Sequence, residues 1–374
     1  MLGEEQRVDD TMTGAGGSGM HRTGRHPPRG RKGQENRNPG QHRGAHGTAA
    51  KAPRVPRALH AQRPAPEDIS PADVRVLLAE AASGTPPDLS DPLVVRRILR
   101  HHGIHPNKGF GQHLLVDRDA LGAMVTAAEL AERDAVLEVG AGMGVLTAAL
   151  AERARRVVAV ELERGILPVL RETTARFGNV EIIARNLLDV QPDAVFGQEP
   201  YKLVANLPYS ITAATLRHFL EAASRPERLV VMVQREVAER LAAAPGDLSL
   251  LGLSVQFYGR PEVMRVVPAG SFFPPPKVDS AIVRIAVYRE PPLDPATRDV
   301  LFGIAHAGFA ERRKQLHNTL ARNLRTSRET IAGWLAAAGI DPMRRAETLS
   351  VEEWVRLARI ARAGHPDGWL PRRR

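Results

Sequence analysis

Residues 136–144 read Val-Leu-Glu-Val-Gly-Ala-Gly-Met-Gly, and this stretch decides the fold. An apolar, β-branched run leads into a glycine-rich turn, and residues 146–154 continue with helical periodicity. Glycines are needed where the backbone must approach a ligand closely. The stretch therefore predicts a strand, a cofactor-binding turn at Gly140, Gly142 and Gly144, and a helix.

The same alternation continues on the C-terminal side of this stretch. Five short β-branched runs are separated by helical stretches such as residues 211–222, and these runs cover residues 135–139, 157–161, 180–183, 203–205 and 229–233. Strands that alternate with helices predict a parallel sheet with helices on both faces. We expect the sheet section to close with residues 254–258 and 278–288, the latter after Pro274-Pro275-Pro276.

The rest of the chain divides by composition. Residues 1–66 are rich in Gly, Pro, His and Arg and have almost nothing to bury, so we expect a disordered basic tail. Helix starts are expected at Pro71, Pro92 and Asp117. After Pro292 the β signals stop, and Asp294-Pro295 and Ser350-x-x-Glu353 mark further helix starts. We predict an α/β domain with an N-terminal helical extension over 67–291 and a small all-helical domain over 292–374.

Charge is distributed unevenly along the chain. The net charge of +10 comprises −3 over residues 1–20, +10 over 21–66, −4 over 67–297 and +7 over 298–374. The basic tail is either a solvated segment or a nonspecific RNA contact. In the helical domain, six basic residues are expected on helices, where they either form a solvated face or contact phosphates: Arg312, Arg313, Lys314, Arg322, Arg325 and Arg328.

Composition excludes several kinds of chemistry. The chain has 374 residues and no cysteine, which removes disulfides, thiolate nucleophiles and Cys-ligated metals. The 13 histidines show no metal-ligand spacing, so we expect no metal site. No apolar run is long enough to span a membrane and the N-terminus lacks a signal pattern, so we expect a cytoplasmic protein, and a monomer.

An acidic residue follows the glycine turn at the end of the next strand. Glu161 lies 21 residues after Gly140 and can accept hydrogen bonds from ribose hydroxyls. The turn and Glu161 indicate a nucleotide-like cofactor but do not separate NAD from S-adenosylmethionine, and a sheet-packing turn without a ligand is the alternative. Glu138 could equally be a surface carboxylate at a strand end.

Residues 206–209, Asn-Leu-Pro-Tyr, follow the fourth strand, where open α/β sheets bind their ligands. Methyl transfer to an exocyclic amine needs hydrogen-bond acceptors that direct the nitrogen lone pair at the methyl group. The Asn206 side-chain oxygen and the Leu207 carbonyl can accept, Pro208 fixes the turn, and Tyr209 can stack on a base. An ordinary turn at a helix start is the alternative.

Four motifs occur along the chain in the same order as in a known protein family. Residues 109–115 (GFGQHLL), 138–144 (EVGAGMG), 206–209 (NLPY) and 272–280 (FFPPPKVDS) together resemble the ribosomal RNA adenine N6,N6-dimethyltransferases, specifically the small-subunit (16S) branch, and the resemblance extends over residues 92–363. It implies a Rossmann-like class I methyltransferase sheet with a small helical C-terminal domain. It also implies S-adenosylmethionine as cofactor and, as substrate, two adjacent adenosines in the 3′-terminal hairpin of 16S rRNA in the assembling 30S subunit.

The resemblance also assigns roles to single residues. His113 and Leu115 would line the cofactor site, Gly140 would contact the methionine part and Glu161 the ribose. Asn186 would lie beside the adenine ring, where an acidic residue is typical of the family, and Asn206 would stand between cofactor and target amine. Tyr209 and Phe272 would stack on either side of the extruded adenine.

Three other functions stay open at this level. An enzyme of the macrolide-resistance type would act on 23S rRNA, although residues 274–280 and 341–349 favour the small-subunit branch. A noncatalytic assembly factor would need only the basic helical domain. A nicotinamide oxidoreductase fits the glycines but leaves the segments around Asn206 and Phe272 unexplained.

Overall fold

The structure is a computed structural model, and it describes residues 87–104 and 113–364. The predicted basic tail, the helix start at Pro71 and most of the segment 105–113 lie outside the described residues. The predicted helix starts at Pro92 and Asp117 are confirmed: Asp91 caps a helix by accepting from the Leu93 amide at 2.8 Å, and Asp117 accepts from the Ala120 amide at 3.0 Å.

The described residues form nine strands. They are β1 (Leu114–Leu115), β2 (Ala135–Val139), β3 (Arg156–Glu161), β4 (Val180–Ala184), β5 (Tyr201–Asn206), β6 (Arg228–Gln234), β7 (Gly259–Val267), β8 (Phe272–Phe273) and β9 (Ser280–Val287). Seven of them make one sheet in the order β4-β3-β2-β5-β6-β9-β7, in which β2 to β6 are parallel and β9 runs antiparallel between β6 and β7. The parallel sheet is confirmed, with an antiparallel edge added to it.

Twelve α-helices lie in the described ranges. They are α1 (Pro92–His101), α2 (Arg118–Ala128), α3 (Val145–Ala151), α4 (Leu167–Thr174), α5 (Pro192–Phe196), α6 (Thr212–Leu220), α7 (Arg235–Leu241), α8 (Leu250–Tyr258), α9 (Pro295–Phe309), α10 (Leu316–Leu324), α11 (Arg328–Ala337) and α12 (Val351–Gly364).

The helices cover both faces of the sheet because successive strand residues point to opposite sides. Val136 packs with α2 and α3 on one face, whereas Leu137 and Val139 belong to the cluster that includes α6 and α8 on the other. The order of the strands reverses between β2 and β5, so the crevice between their carboxyl ends is where an α/β sheet of this kind binds a ligand.

The strand expected at residues 254–258 is wrong, because these residues form the end of α8. Ser249 caps this helix by accepting from the Gly252 amide at 3.0 Å. Residues on nearly all sides of α8 are buried, so its sequence is largely apolar. A largely apolar run shows neither clear helical nor clear strand periodicity, and the sequence alone does not separate the two. The strand of this region is β7, which directly follows α8. Its sequence is not typical of a strand because it contains Pro261, and its register shifts between Val263 and Arg265.

The helical C-terminal segment is confirmed from Asp294 onward. Asp294 caps α9 by accepting from the Ala296 amide at 3.0 Å. The capping box is present, since Ser350 Oγ accepts from the Glu353 amide at 3.2 Å and Glu353 Oε2 accepts from the Ser350 amide at 2.8 Å. Helices α9 to α12 share one apolar cluster with the sheet, so the domain boundary at 291/292 stays a prediction.

Candidate active site

The glycine turn joins β2 to α3 and bends sharply. Gly140, Gly142 and Gly144 have φ of 73°, 57° and 85°, a region that side chains rarely adopt. A Cβ on Gly140 would lie 3.8 Å from the Asn206 carbonyl oxygen, so this turn and the end of β5 face one another closely. A Cβ on Gly144 would lie only 2.6 Å from Thr173 Oγ1 on α4. Gly144 therefore serves packing of the turn against α4, and its predicted cofactor contact stays a prediction.

Glu161 at the end of β3 supports the glycine turn. Its Oε2 accepts from the Gly142 amide at 2.8 Å, and its Oε1 accepts from the Leu162 and Glu163 amides, each at 2.8 Å. A carboxylate oxygen can accept two hydrogen bonds, so Oε2 retains a lone pair for a ribose hydroxyl. The structure thus places Glu161 beside the turn, as its predicted role requires.

Asn206 is the last residue of β5 and is partly buried. Its Nδ2 donates to the His113 carbonyl at 3.0 Å, which fixes the orientation of the amide. None of the described residues donates to Asn206 Oδ1 or to the Leu207 carbonyl. Both predicted acceptors for a target amine are therefore available, while the Leu207 side chain is buried in the core with 2% of its surface exposed.

Tyr209 lies in a single 3-10 turn after Pro208. Its hydroxyl forms a 2.8 Å hydrogen bond with Ser280 Oγ, and burial raises the pKa of its phenol. The His113 ring lies next to it, with centroids 5.6 Å apart, and His113 Nδ1 is 2.7 Å from the Pro274 carbonyl oxygen. The histidine thus links the strand end that carries Asn206 to the segment after β8.

Phe272 and Leu115 are less accessible than their predicted roles suggest. The two pair across the β1–β8 ribbon and pack in one apolar cluster, with 3% and 5% of their surfaces exposed. Of the two residues predicted to hold the adenine, Tyr209 is partly exposed and Phe272 is buried. Stacking by Phe272 stays a prediction and requires its ring to be uncovered.

Asn186 is exposed at the end of the loop that follows β4. Its Oδ1 accepts from the Leu188 amide at 3.0 Å and caps a single 3-10 turn. One lone pair of that oxygen remains for an adenine amino group. The structure gives Asn186 a local capping role, and its contact with the cofactor stays a prediction.

Glu138 is not a surface carboxylate, which corrects that alternative. It is 1% exposed in the middle of the sheet, and burial, assisted by the negative charge of Glu161, raises its pKa to about 8. Thr147 on α3 faces it and opposes part of this shift. The sequence did contain a signal for the burial of Glu138. Alternate residues of a strand point to the same face, so Glu138 shares its face with the apolar Val136.

Sequence reasoning missed several supporting residues. Asp279 joins two segments near the site, because its Oδ1 accepts from the Ala269 amide at 3.0 Å and its carbonyl accepts from the Arg235 amide at 3.0 Å. Thr173 Oγ1 donates to the Met143 carbonyl at 2.7 Å and ties α4 to the glycine turn. Ser280, which forms a hydrogen bond with Tyr209, is the last residue of the 272–280 motif. Its membership of that motif was the signal that could have identified it as a site residue.

The helix expectation for the six basic residues is confirmed for Arg322 on α10 and Arg328 on α11, and is wrong for the others. Arg312, Arg313 and Lys314 lie in the turn between α9 and α10, where the chain reverses so that α10 can pack on α9. Arg322 pairs with Glu311 at 3.4 Å and Arg312 with Glu347 at 4.0 Å. All six side chains are exposed, so phosphate contact stays open to them.

Over residues 87–104 and 113–364, no cluster of metal-ligating side chains is present. Within those same residues, no helix is long and apolar enough to cross a membrane.

The sheet order and the crevice between β2 and β5 define a class I methyltransferase. The same fold is seen in the crystal structure of the 23S rRNA methyltransferase ErmE, with 30% identity and a TM-score of 0.55 over 66% of this chain and 98% of that one. A dimethyladenosine transferase from Plasmodium falciparum has a TM-score of 0.56 at 23% identity and covers 66% of this chain.

Sequence comparison then identifies the family. The family model for "Ribosomal RNA adenine dimethylase" matches residues 103–362, and the chain belongs to that family. A protein named ribosomal RNA small subunit methyltransferase A from Dehalococcoides mccartyi is 46% identical over 75% of this chain and 96% of its own length. One of the same name from Pelotomaculum thermopropionicum is 44% identical over 72% of this chain and 96% of its length.

Proposed function

We propose that this chain transfers methyl groups from S-adenosylmethionine to N6 of two adjacent adenosines in the 3′-terminal hairpin of 16S rRNA. The observation that carries the proposal is Asn206, whose Nδ2 donates to the His113 carbonyl while none of the described residues donates to its Oδ1. The backbone of Asn206 lies against Gly140 of the glycine turn. The curated relatives at 44–46% identity are named as small-subunit methyltransferases, and this supports the choice of 16S rRNA.

The residues around the glycine turn fit S-adenosylmethionine. Gly140 has no side chain that would fill the space facing Asn206, and Glu161 retains an acceptor for a ribose hydroxyl. When bound, the cofactor supplies an electrophilic methyl group on a positively charged sulfur. His113, Leu115, Gly142, Gly144 and Asn186 complete the cofactor site in this proposal.

The chain itself contributes orientation and electrostatics. Asn206 Oδ1 and the Leu207 carbonyl accept hydrogen bonds from the N6 amine, two in the first transfer and one in the second, and this turns the nitrogen lone pair toward the methyl group. Pro208 sets the turn that presents Tyr209, and the tyrosine stacks on the flipped base with its hydroxyl anchored by Ser280. The sulfonium is a good leaving group, so the N6 proton can leave after attack without a strong base.

The rRNA is held outside the catalytic crevice in this proposal. The sheet section is slightly acidic, whereas residues 298–374 carry a net charge of +7, and exposed Arg313, Arg325 and Arg328 are available for phosphates. The chain acts as a monomer on the assembling small subunit, which places the reaction in the cytoplasm.

A 23S rRNA target is the second candidate. It is favoured by the similarity to the ErmE structure, which is named as a 23S rRNA methyltransferase. Its 30% identity over 66% of the chain is well below the 46% over 75% for the small-subunit relative. The small-subunit target is therefore the better supported of the two.

Substitution of Asn206 tests the role of the site. Asn206→Ala should lose most transfer to immature small subunits, measured by primer extension, while calorimetry shows nearly unchanged S-adenosylmethionine binding. Asn318→Ala, an exposed asparagine on α10, serves as the matched control and should methylate normally. Transfer by Asn206→Ala at the wild-type rate would show that the assigned role is wrong.

A further inference from the structure

Glu138 lies below the crevice in which the proposed cofactor site is built. Its neighbours across the sheet are Ala159 on β3 and Val204 on β5. It precedes Gly140 by two residues, and Val204 precedes Asn206 by two. Because a strand advances about 3.3 Å per residue, the Cα of Glu138 lies roughly 7 Å along the strand from the closest approach of Gly140 and Asn206, a distance that a glutamate side chain can partly span.

Among the described residues no cation faces this carboxyl group, and Glu138 Oε2 has no hydrogen-bond partner. The hydroxyl group of Thr147, which faces it from α3, opposes only part of the rise in its pKa. The charged group that acts on it is Glu161, which is also an acid. A buried acidic group in such surroundings is held in its neutral form, and its pKa of about 8 agrees with this.

The proposed cofactor would bring the missing positive charge. Its sulfur is a sulfonium before transfer and a neutral thioether in the product, S-adenosylhomocysteine. A cation placed near a buried carboxyl group favours the ionised form, whereas a neutral sulfur leaves the carboxyl group protonated.

We propose that Glu138 makes the site select the sulfonium form of the cofactor, giving up its proton when S-adenosylmethionine binds and taking one up after the methyl group has left. This inference rests on the proposed function. During transfer the sulfur–methyl bond breaks, the nitrogen–methyl bond forms and the N6 proton goes to solvent. Glu138 then regains a proton from solvent. Loss of the charge pairing favours release of S-adenosylhomocysteine. A new S-adenosylmethionine must take its place before each further methylation of the two adenosines.

Proton release on binding tests the inference without an activity assay. Calorimetry in two buffers with different ionisation enthalpies gives the number of protons released by the full chain with S-adenosylmethionine and with S-adenosylhomocysteine. In the wild type, S-adenosylmethionine should release more protons. If the sulfonium lowers the pKa of Glu138 by about one unit, the ratio of the two affinities should rise about fivefold from pH 7 to pH 9.

The decisive comparison is with Glu138→Gln, because the cofactor's own amino group titrates in the same pH range. In Glu138→Gln that rise should disappear, whereas Glu132→Gln, which removes an exposed acid, should match the wild type. Thr147→Val removes the group that opposes the pKa shift, and it should move the rise to higher pH. This variant also tests the inference if Glu138→Gln fails to fold.

Two outcomes separate the inference from the function beneath it. Equal proton release and the same affinity ratio in wild type and Glu138→Gln would overturn the role of Glu138 while leaving the methyltransferase proposal intact. Failure of the wild-type chain to bind S-adenosylmethionine would overturn the proposed function itself.

Discussion

Replacing Glu138 by glutamine should change how the stability of the protein depends on pH. The carboxyl group is 1% exposed, and its pKa rises from 4.5 to about 8 on folding. Below pH 4.5 both folded and unfolded chains carry this proton. Between pH 4.5 and 8 the unfolded chain has lost it and the folded chain keeps it, so the free energy of unfolding falls by about 1.4 kcal/mol per pH unit.

The size of the effect follows from the shift. Between pH 5 and pH 8 the wild type should lose at most about 4 kcal/mol through this one group, and Glu138→Gln should not lose it. Urea unfolding followed by circular dichroism at pH 5, 6, 7 and 8 measures the difference, with the exposed-site variant Glu132→Gln as control. If the difference in stability between Glu138→Gln and the wild type were the same at all four pH values, Glu138 would not be the buried neutral acid described above.

Four further predictions give separate tests. Gly144→Ala should lower stability by about 3 kcal/mol because of its left-handed φ and the 2.6 Å approach to α4, whereas Gly333→Ala, with open space in α11, should raise it by about 0.5 kcal/mol; urea unfolding compares them. Ser350→Ala should cost about 1 kcal/mol by removing the capping box of α12, and an unchanged urea midpoint would contradict this. Asn186→Asp should tighten S-adenosylmethionine binding a few-fold in calorimetry, since a charged acceptor binds an amino group more strongly. Deleting residues 1–66 should reduce the salt dependence of RNA binding without abolishing methylation, and loss of activity would show that the tail is required.

The parallel part of the sheet could be predicted because its strands are short β-branched runs separated by helical stretches. Residues 135–139 were predicted with the observed bounds, and the helix caps at Asp91 and Asp294 were identified from their sequence signals. Of the antiparallel edge, β9 (Ser280–Val287) lies within the strand predicted at 278–288. Strand β7 was missed, since α8 is apolar on nearly all sides and β7 contains Pro261 and an irregular register. Periodicity carries no information where a helix is wholly buried.

The sequence predicted which residues form the candidate site, but it predicted fewer of the contacts between them. The approach of Gly140 to Asn206 follows from the topology, because both end neighbouring parallel strands. The His113 carbonyl that orients Asn206, and the burial of Phe272, depend on how β1 and β8 pair across long sequence distances. The burial and protonation of Glu138 could be inferred only from the structure, because they depend on the helices that pack over β2.

Primer extension on both ribosomal subunits tests the central claim most directly, because dimethyladenosine blocks reverse transcription. Immature 30S subunits and 50S subunits would each be incubated with the full chain and S-adenosylmethionine. We predict stops at two adjacent adenosines in the 3′-terminal hairpin of 16S rRNA, no new stop in 23S rRNA, and neither stop with Asn206→Ala. A stop in 23S rRNA alone, or no stop in either RNA, would contradict the account.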